Sequence, residues 1–308
     1  MGITMNDPSI GSAPHSPVGS APVVQAEVGF HYVLILEWLD DADERTGRLL
    51  DEHLRKIGVP SELVVCSSPR DIRESLNRAL STVPQRGRPA VHIEAHGTST
   101  DDRGLGEMAF GTTQGSSLRW ADLGDWLAPL NQACDFRLVV VGATCYGLGA
   151  IAAMKVNQHV APFAACIGFT TTVMSSSVRE AMKEFYRSIH RGDEFRPALA
   201  NASRELRQGE KLEFTSAKKL AYQVLRGVYD RIRGEKALTE TANRLLAQVR
   251  DAGLPVADSY VATLPTLLQE RTRVRAQEAW DHWFPPQLQT RLPSNQLDWS
   301  IVEMDLIT

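Results

Sequence analysis

The feature that most constrains the fold is a regular alternation between short apolar runs and longer amphipathic segments, which extends to about residue 206. Strands that are apolar on both faces are typical of a parallel sheet covered by helices. Alternation with helical segments predicts right-handed crossovers and an α/β fold with a mainly parallel sheet flanked by helices. Five runs are the predicted core strands: FHYVLILEWL (30–39), ELVVC (62–66), PAVHIEA (89–95), FRLVVVGAT (136–144) and FAACIGFTT (163–171).

The chain divides into three regions. Residues 1–27 are rich in Pro, Ser and Gly without apolar periodicity, which predicts a disordered tail. Residues 28–210 carry the predicted sheet, with a short hairpin at 108–120. Residues 211–308 are predicted to be mainly helical, and the sequence leaves open whether they pack on the sheet or form a subdomain of their own. The last segment, 292–308, is predicted to be extended.

Composition excludes several classes of function. Among 308 residues, 43% are hydrophobic and the net charge is -4, so no overall positive field attracts nucleic acid or anionic membranes. No secretory signal begins the chain, and no run reaches the roughly 18 apolar residues of a membrane span. We therefore expect a cytoplasmic protein with reduced cysteines and neither a nucleic-acid nor a membrane partner.

Two of the predicted strands end on chemically reactive residues. His96 and Gly97 follow the third strand, and Cys145 follows the fourth. Ligand chemistry in such sheets belongs at the carboxyl ends of strands, and the ends of neighbouring strands lie about 5 Å apart. A helix predicted at 147–157 would lower the pKa of a thiol at its start, and backbone N–H groups here would stabilise an oxyanion. The alternative is that Cys145 is a small buried apolar residue.

Other interpretations of the same residues are weaker. His92 and His96 have a spacing used by zinc ligands on helices, but on a strand four residues span about 13 Å, so both side chains would not reach one ion. We expect His92 to be a hydrogen-bonded histidine inside the sheet, and we predict no metal site. GATCYGLG resembles a phosphate-binding loop only in position, because it lacks the glycine order and the Lys-Ser/Thr of such loops. The aromatic cluster WDHWF (280–284) is more typical of a core than of a ligand site.

Three blocks in residues 30–208 carry a more specific resemblance: HIEAHG, LVVVGATCYG and CIGFTTTVMSSSVREAMKEFYRSIHRGDEFRPALANASREL. In this order and spacing they resemble the caspase-like cysteine peptidases, and more narrowly the CHAT subgroup. The resemblance implies a three-layer sandwich with His96 as catalytic histidine, Cys145 as nucleophile, and the amides of Gly97 and Cys145 as oxyanion hole. The chain departs from many CHAT sequences at Tyr146, where they have an acidic residue, and at Phe169-Thr170, where they have Trp-Pro.

The resemblance implies a cysteine endopeptidase with a Cys-His dyad that needs no metal or organic cofactor. Its substrate would be a partner protein, for example a gasdermin-like pore former in antiphage defence or programmed cell death. The alternative is a catalytically inactive interaction module that retained the fold, and the oligomeric state stays open.

We also predict residues that contact substrate. The loop after the first strand, EWLDDADERTG (37–47), holds Asp40, Asp41, Asp43 and Glu44. We predict that at least one of these carboxylates, first of all Asp40 or Asp41, lines the substrate pocket and selects Arg or Lys before the scissile bond. The alternative is a solvated acidic cap on the next helix. Thr170, at one of the departures from the family pattern, is the third predicted substrate contact.

Overall fold

The computed structural model describes residues 29–98, 109–113, 116–154, 160–233, 235–252, 258–291 and 296–298. The predicted disordered tail, 1–27, lies outside these residues, as does most of the predicted extended segment at 292–308.

The described residues form an α/β fold around a mostly parallel mixed sheet. Five parallel strands make its centre, in the order β2-β1-β3-β6-β7. These strands are β1 (Tyr32–Trp38), β2 (Ser61–Val65), β3 (Pro89–Thr98), β6 (Val139–Ala143) and β7 (Ala165–Phe169). They are the five predicted core strands, so the α/β class and the parallel sheet are confirmed.

Three short strands complete the sheet. The predicted hairpin is present as β4 (Ala109–Gly111) and β5 (Ser117–Arg119), and β4 pairs antiparallel with the end of β3. The strand β8 (Leu212–Ser216) pairs antiparallel with β7 at the sheet edge. The sequence did not predict β8. Its five residues begin the region expected to be helical, and so short a strand carries little periodic signal.

Helices cover both faces of the sheet. One face, here called the aromatic face, carries strand residues such as Leu34, Trp38 and Ile93, which are buried with α2, α3, α6 and α8. The other, here called the polar face, carries Glu37, His92 and Glu94 among apolar residues buried with α1, α4 and α5. The helices on the two faces have these bounds: α1 (Thr46–Lys56), α2 (Pro69–Arg86), α3 (Trp120–Ala133), α4 (Ser175–His190), α5 (Phe195–Ser203), α6 (Ala217–Arg233) and α8 (Asp258–Trp283).

Local sequence signals explain several helix ends. Ser68 caps α2, where its hydroxyl accepts the N–H of Asp71 at 3.4 Å, and Pro69 occupies the first turn as predicted. The helix predicted at 147–157 is instead a 3-10 helix, Gly147–Ala153. Its backbone is pressed against the sheet, since a Cβ atom on Gly147 would lie 1.9 Å from the carbonyl oxygen of Gly142. Only glycine allows this approach.

The C-terminal region is helical after β8, with α7 (Glu235–Asp251) and α9 (Pro286–Arg291) joining α6 and α8. Trp280 and Trp283 of α8 are fully buried in the cluster that covers the aromatic face. The backbone carbonyl of Trp283 also accepts the N–H of Ala161, at 3.1 Å. In the described residues, this region therefore packs on the sheet. No described helix is both long enough and apolar enough to cross a membrane.

Candidate active site

His96 and Cys145 lie at the carboxyl ends of neighbouring strands. Glu94 of β3 pairs with Ala143 of β6. His96 and Cys145 each come two residues later, so they lie side by side where the two strands end. Both side chains line one cavity of about 250 Å³, at the edge of the polar face. The expectation that the third and fourth core strands are neighbours and bring these residues to one rim is confirmed.

Backbone contacts hold the Cys145 thiol. The sulfur accepts the N–H of Val173 at 3.4 Å and donates its own S–H to the carbonyl of Val173 at 3.6 Å. The next residue, Tyr146, has a left-handed backbone with φ 54°, which turns the chain sharply away from the strand end. The 3-10 helix that follows has only seven residues, so the α-helix predicted to lower the pKa of Cys145 is not present.

Gly97 lies directly against the backbone of Cys145. A Cβ atom at position 97 would lie 1.7 Å from the carbonyl oxygen of Cys145. No larger residue therefore fits without moving the backbone of Cys145. The backbone N–H groups of Gly97 and Cys145 are therefore close to each other in space. Their role as an oxyanion hole stays a prediction.

His96 is held by the carboxylate of Asp43, which the sequence placed among the candidate pocket residues but did not assign to the histidine. Its Nε2 lies 2.7 Å from Oδ2 of Asp43, and both side chains are partly exposed, at 37% and 29%. Nδ1 is therefore the ring nitrogen that is not bound to Asp43. Cys145, His96 and Asp43 all line the same cavity.

The loop that carries Asp43 is anchored to the β4–β5 hairpin. The Asp40 carboxylate accepts both the hydroxyl and the backbone N–H of Thr113, the latter at 2.7 Å, and these bonds lower the pKa of Asp40. The N–H of Asp40 in turn donates to Oδ2 of Asp43 at 2.8 Å. A chain of hydrogen bonds thus runs from the hairpin through Asp40 and Asp43 to His96.

None of the three predicted substrate contacts is among the residues that line the cavity shared by His96 and Cys145. Asp40 is engaged with Thr113, as above, and the fully exposed Asp41 side chain pairs with Arg45 at 2.8 Å. Thr170 donates its N–H to the carbonyl of Lys211 at 3.1 Å, in the connection to the edge strand. The acidic residues that do line the cavity are Asp43, Glu44 and Glu94.

A buried chain of polar side chains lies beneath the cavity. Tyr186 of α4 lies 3.0 Å from Nδ1 of His92, and Nε2 of His92 lies 2.9 Å from Oε1 of Glu94. Oε2 of Glu94 accepts the Thr46 hydroxyl at 2.7 Å. His92 is fully buried and hydrogen-bonded on both ring nitrogens, which confirms the expectation of a hydrogen-bonded histidine inside the sheet.

Cys145 differs from the other cysteines in its surroundings. Cys66, Cys134 and Cys166 are buried, whereas Cys145 is partly exposed. Burial raises the pKa of each of the three buried thiols to about 12. Because the thiolate is the nucleophile, these three are inert near neutral pH.

One group of side chains has metal-ligand character. Asp40, Asp43 and His96 each place a donor atom within 4.8 Å of the others. The hydrogen bonds described above account for this closeness, and the shared Oδ2 of Asp43 already accepts two of them. We therefore assign no ion to the group.

The sequence assigned no role beside His96 to Asp43 and no role at all to Glu94, although signals for both were present. Asp43 stands in the acidic run after β1, but nothing in its spacing distinguishes it from its neighbours. Glu94 is two residues before His96 on β3, and side chains two apart on a strand share a face. That periodicity was sufficient to place Glu94 beneath the site.

A scan against protein-family models found no match to this chain, and a search of curated proteins found no similar sequence.

Proposed function

We propose that the protein is a caspase-like cysteine endopeptidase with Cys145 as nucleophile and His96 as general acid and base. The observation that carries the proposal is the shared cavity. It brings the partly exposed cysteine and a histidine oriented by Asp43 to the carboxyl edge of a parallel sheet. This is the position at which such sheets bind ligands. The layered sheet with helices on both faces is consistent with the caspase-like sandwich.

The chemistry follows from the groups present. Nδ1 of His96 takes the Cys145 proton, and the thiolate attacks the carbonyl carbon of a peptide bond to form a C–S bond. The N–H groups of Gly97 and Cys145 hold the resulting oxyanion. His96 then returns its proton to the leaving amine as the C–N bond breaks. Water, deprotonated by His96, hydrolyses the thioester and restores the thiol.

Asp43 is assigned as the residue that orients the histidine. Its carboxylate accepts Nε2–H, which fixes the tautomer with a free Nδ1 and stabilises the imidazolium that forms during each proton transfer. The sequence predicted a dyad. The hydrogen bond at 2.7 Å supports a three-residue arrangement instead.

The proposed substrate is a partner protein in the cytoplasm, and a gasdermin-like pore former is the example we favour. Cleavage of such a partner would connect the enzyme to antiphage defence or programmed cell death. This part of the proposal rests on the sequence resemblance alone.

Site-selective labelling tests the proposed enzyme. A peptidyl acyloxymethyl ketone should modify Cys145 at pH 7.5, and peptide mapping should find Cys66, Cys134 and Cys166 unmodified because burial keeps them as thiols. His96→Ala should slow the labelling at least about tenfold, through loss of the base. Iodoacetamide in denaturant should reach all four cysteines, which controls for their accessibility. Equal labelling of Cys145 and Cys66 in the folded protein would contradict the enzyme and favour the inactive interaction module.

A further inference from the structure

We propose that the cavity beside Cys145 binds an arginine side chain of the substrate, before the scissile bond, with Glu94 as its partner. The inference rests on the proposed function and names the substrate class of that site. It transfers the role that the sequence suggested for Asp40 and Asp41 to a residue on β3.

The position of Glu94 fits a long side chain. Glu94 lines the cavity and lies two residues before His96 on β3. At the usual rise of a strand, its Cα atom is roughly 7 Å below the rim. The cavity volume is about 250 Å³, which is less than that of the sites that hold drug-sized molecules and suits one side chain. A short residue bound at Cys145 would not reach the bottom, whereas an extended arginine would.

The carboxylate of Glu94 accepts hydrogen bonds on both oxygens and has no lysine or arginine partner among the described residues. One of these bonds comes from Nε2–H of His92, at 2.9 Å, and the hydroxyl of Tyr186 lies 3.0 Å from Nδ1 of the same ring. Glu94 is only 2% exposed. A buried carboxylate with no lysine or arginine beside it is unfavourable, and a guanidinium supplied by a ligand would offset that cost.

The other charged groups around Glu94 also favour a cationic ligand in the cavity. Glu37 of β1 is in register with Glu94 and is also fully buried. Its Oε1 accepts the backbone N–H of Arg48 in the first turn of α1, and its nearest cation, Arg45, is 3.9 Å away. At the rim, Arg179 is already paired with Glu44 and Glu180. No described lysine or arginine lines the cavity.

The remaining hydrogen-bond capacity favours arginine over lysine. Each oxygen of Glu94 accepts one bond, from His92 and from Thr46 respectively. A carboxylate has about four lone-pair sites, so one site remains on each oxygen. Two acceptors side by side match the planar fork of a guanidinium and not the single ammonium of lysine.

The test compares peptidyl acyloxymethyl ketones that differ only in the residue next to the reactive group: arginine, citrulline, lysine, leucine or aspartate. Citrulline has almost the shape of arginine without its charge. Wild-type Cys145 should react with the arginine compound at least about tenfold faster than with the citrulline compound, as expected for one charge-assisted contact. Similar rates for the two, or a faster reaction with leucine or aspartate, would overturn the inference while leaving the peptidase intact. Failure of every compound to label Cys145 would overturn both.

Variants locate the effect. Glu94→Gln should reduce the arginine-to-citrulline ratio about 10- to 100-fold. Glu37→Gln is the matched control, because it removes a buried charge in register on the next strand without touching the cavity, and the ratio should stay within about twofold. An unchanged ratio in a folded Glu94→Gln protein would overturn the assignment. The wild-type comparison decides the matter if that variant does not fold.

Discussion

The two faces of the sheet are buried to the same degree but are built differently. On the aromatic face, Phe110 packs between Trp38 and Trp120, with ring centroids 6.1 Å and 4.3 Å away. On the polar face, β3 carries His92 and Glu94 in a hydrogen-bonded chain. An apolar interior would cost less than buried polar groups, which need every partner in place. Departures from simple apolar packing concentrate at functional sites, and here the polar chain lies beneath His96 and Cys145.

Two cysteines, one on each face, give the largest expected contrast. Cys145→Ala should lower peptide cleavage at least about 10³-fold and leave the thermal midpoint within about 1 °C, because the thiol lies at the rim. Cys166, by contrast, is fully buried on the aromatic face. Cys166→Ala should retain cleavage within about twofold and lower the free energy of unfolding by about 1–2 kcal/mol. Cleavage assays and thermal melts of both variants measure this. Residual activity in Cys145→Ala comparable to wild type would contradict the assignment of the nucleophile.

Adjacent residues of β3 allow a direct comparison of stability. Ile93→Ala removes apolar packing on the aromatic face and should cost about 2–5 kcal/mol. His92→Leu keeps the volume of the polar face but leaves Tyr186 and Glu94 each without one buried partner, which should cost about 3 kcal/mol. Denaturant unfolding measures both.

A double-mutant cycle distinguishes the two mechanisms. Tyr186→Phe should be less destabilising in the His92→Leu background than in wild type, by about 1 kcal/mol, because its hydroxyl has then already lost its partner. In the Ile93→Ala background it should add independently. Additive effects in both backgrounds would mean that Tyr186 and His92 are not coupled in the free energy of unfolding.

Variants of Asp43 test whether the polar side chains at the exposed rim of the cavity contribute to catalysis and not to stability. Asp43→Asn should reduce kcat about 10²-fold. Replacing a buried orienting carboxylate in a triad lowers kcat by more than this, but Asp43 is partly exposed, which limits the loss. Stability should change little. Asp41→Asn, in the same loop but paired only with Arg45 at the surface, is the control and should retain activity. Equal losses in the two variants would indicate a disturbed loop.

The sequence was informative where periodicity is strong. Near-continuous apolar runs identified β1, β3 and β6, and therefore the placement of His96 and Cys145 at one rim. It was less informative where local structure depends on distant partners. The acidic run after β1 gives four carboxylates of similar appearance, and only the fold directs Asp43 to His96 while Asp40 binds the hairpin. The apolar segment after Cys145 has helical composition, but the close approach of Gly147 to Gly142 holds it as a 3-10 helix.

The smallest expected effect is at Lys218, a charged group of α6, the helix that packs on the aromatic face. Lys218 stands at the start of α6 beside Ala217, and desolvation lowers its pKa from 10.5 to about 8. Between these two pH values the unfolded chain keeps a proton that the folded protein has released, so Lys218 makes the free energy of unfolding rise with pH. Below about pH 8 the amine is charged in the folded protein as well, and the folded state bears the cost of burying that charge. Lys218→Met should therefore stabilise the protein at pH 7 by about 1 kcal/mol. This is less than the full shift, because water reaches part of the side chain and because the variant also loses the interaction that Lys218 makes in the folded protein. The gain should shrink toward pH 9.5, and Lys219→Met, at the exposed neighbouring position, should show neither effect.

Because tyrosines and buried thiols also titrate at high pH, the measured quantity is the difference between wild type and variant in parallel urea unfolding curves. A difference that does not change with pH would mean that the amine is not desolvated, and that the aromatic face admits water at its edge.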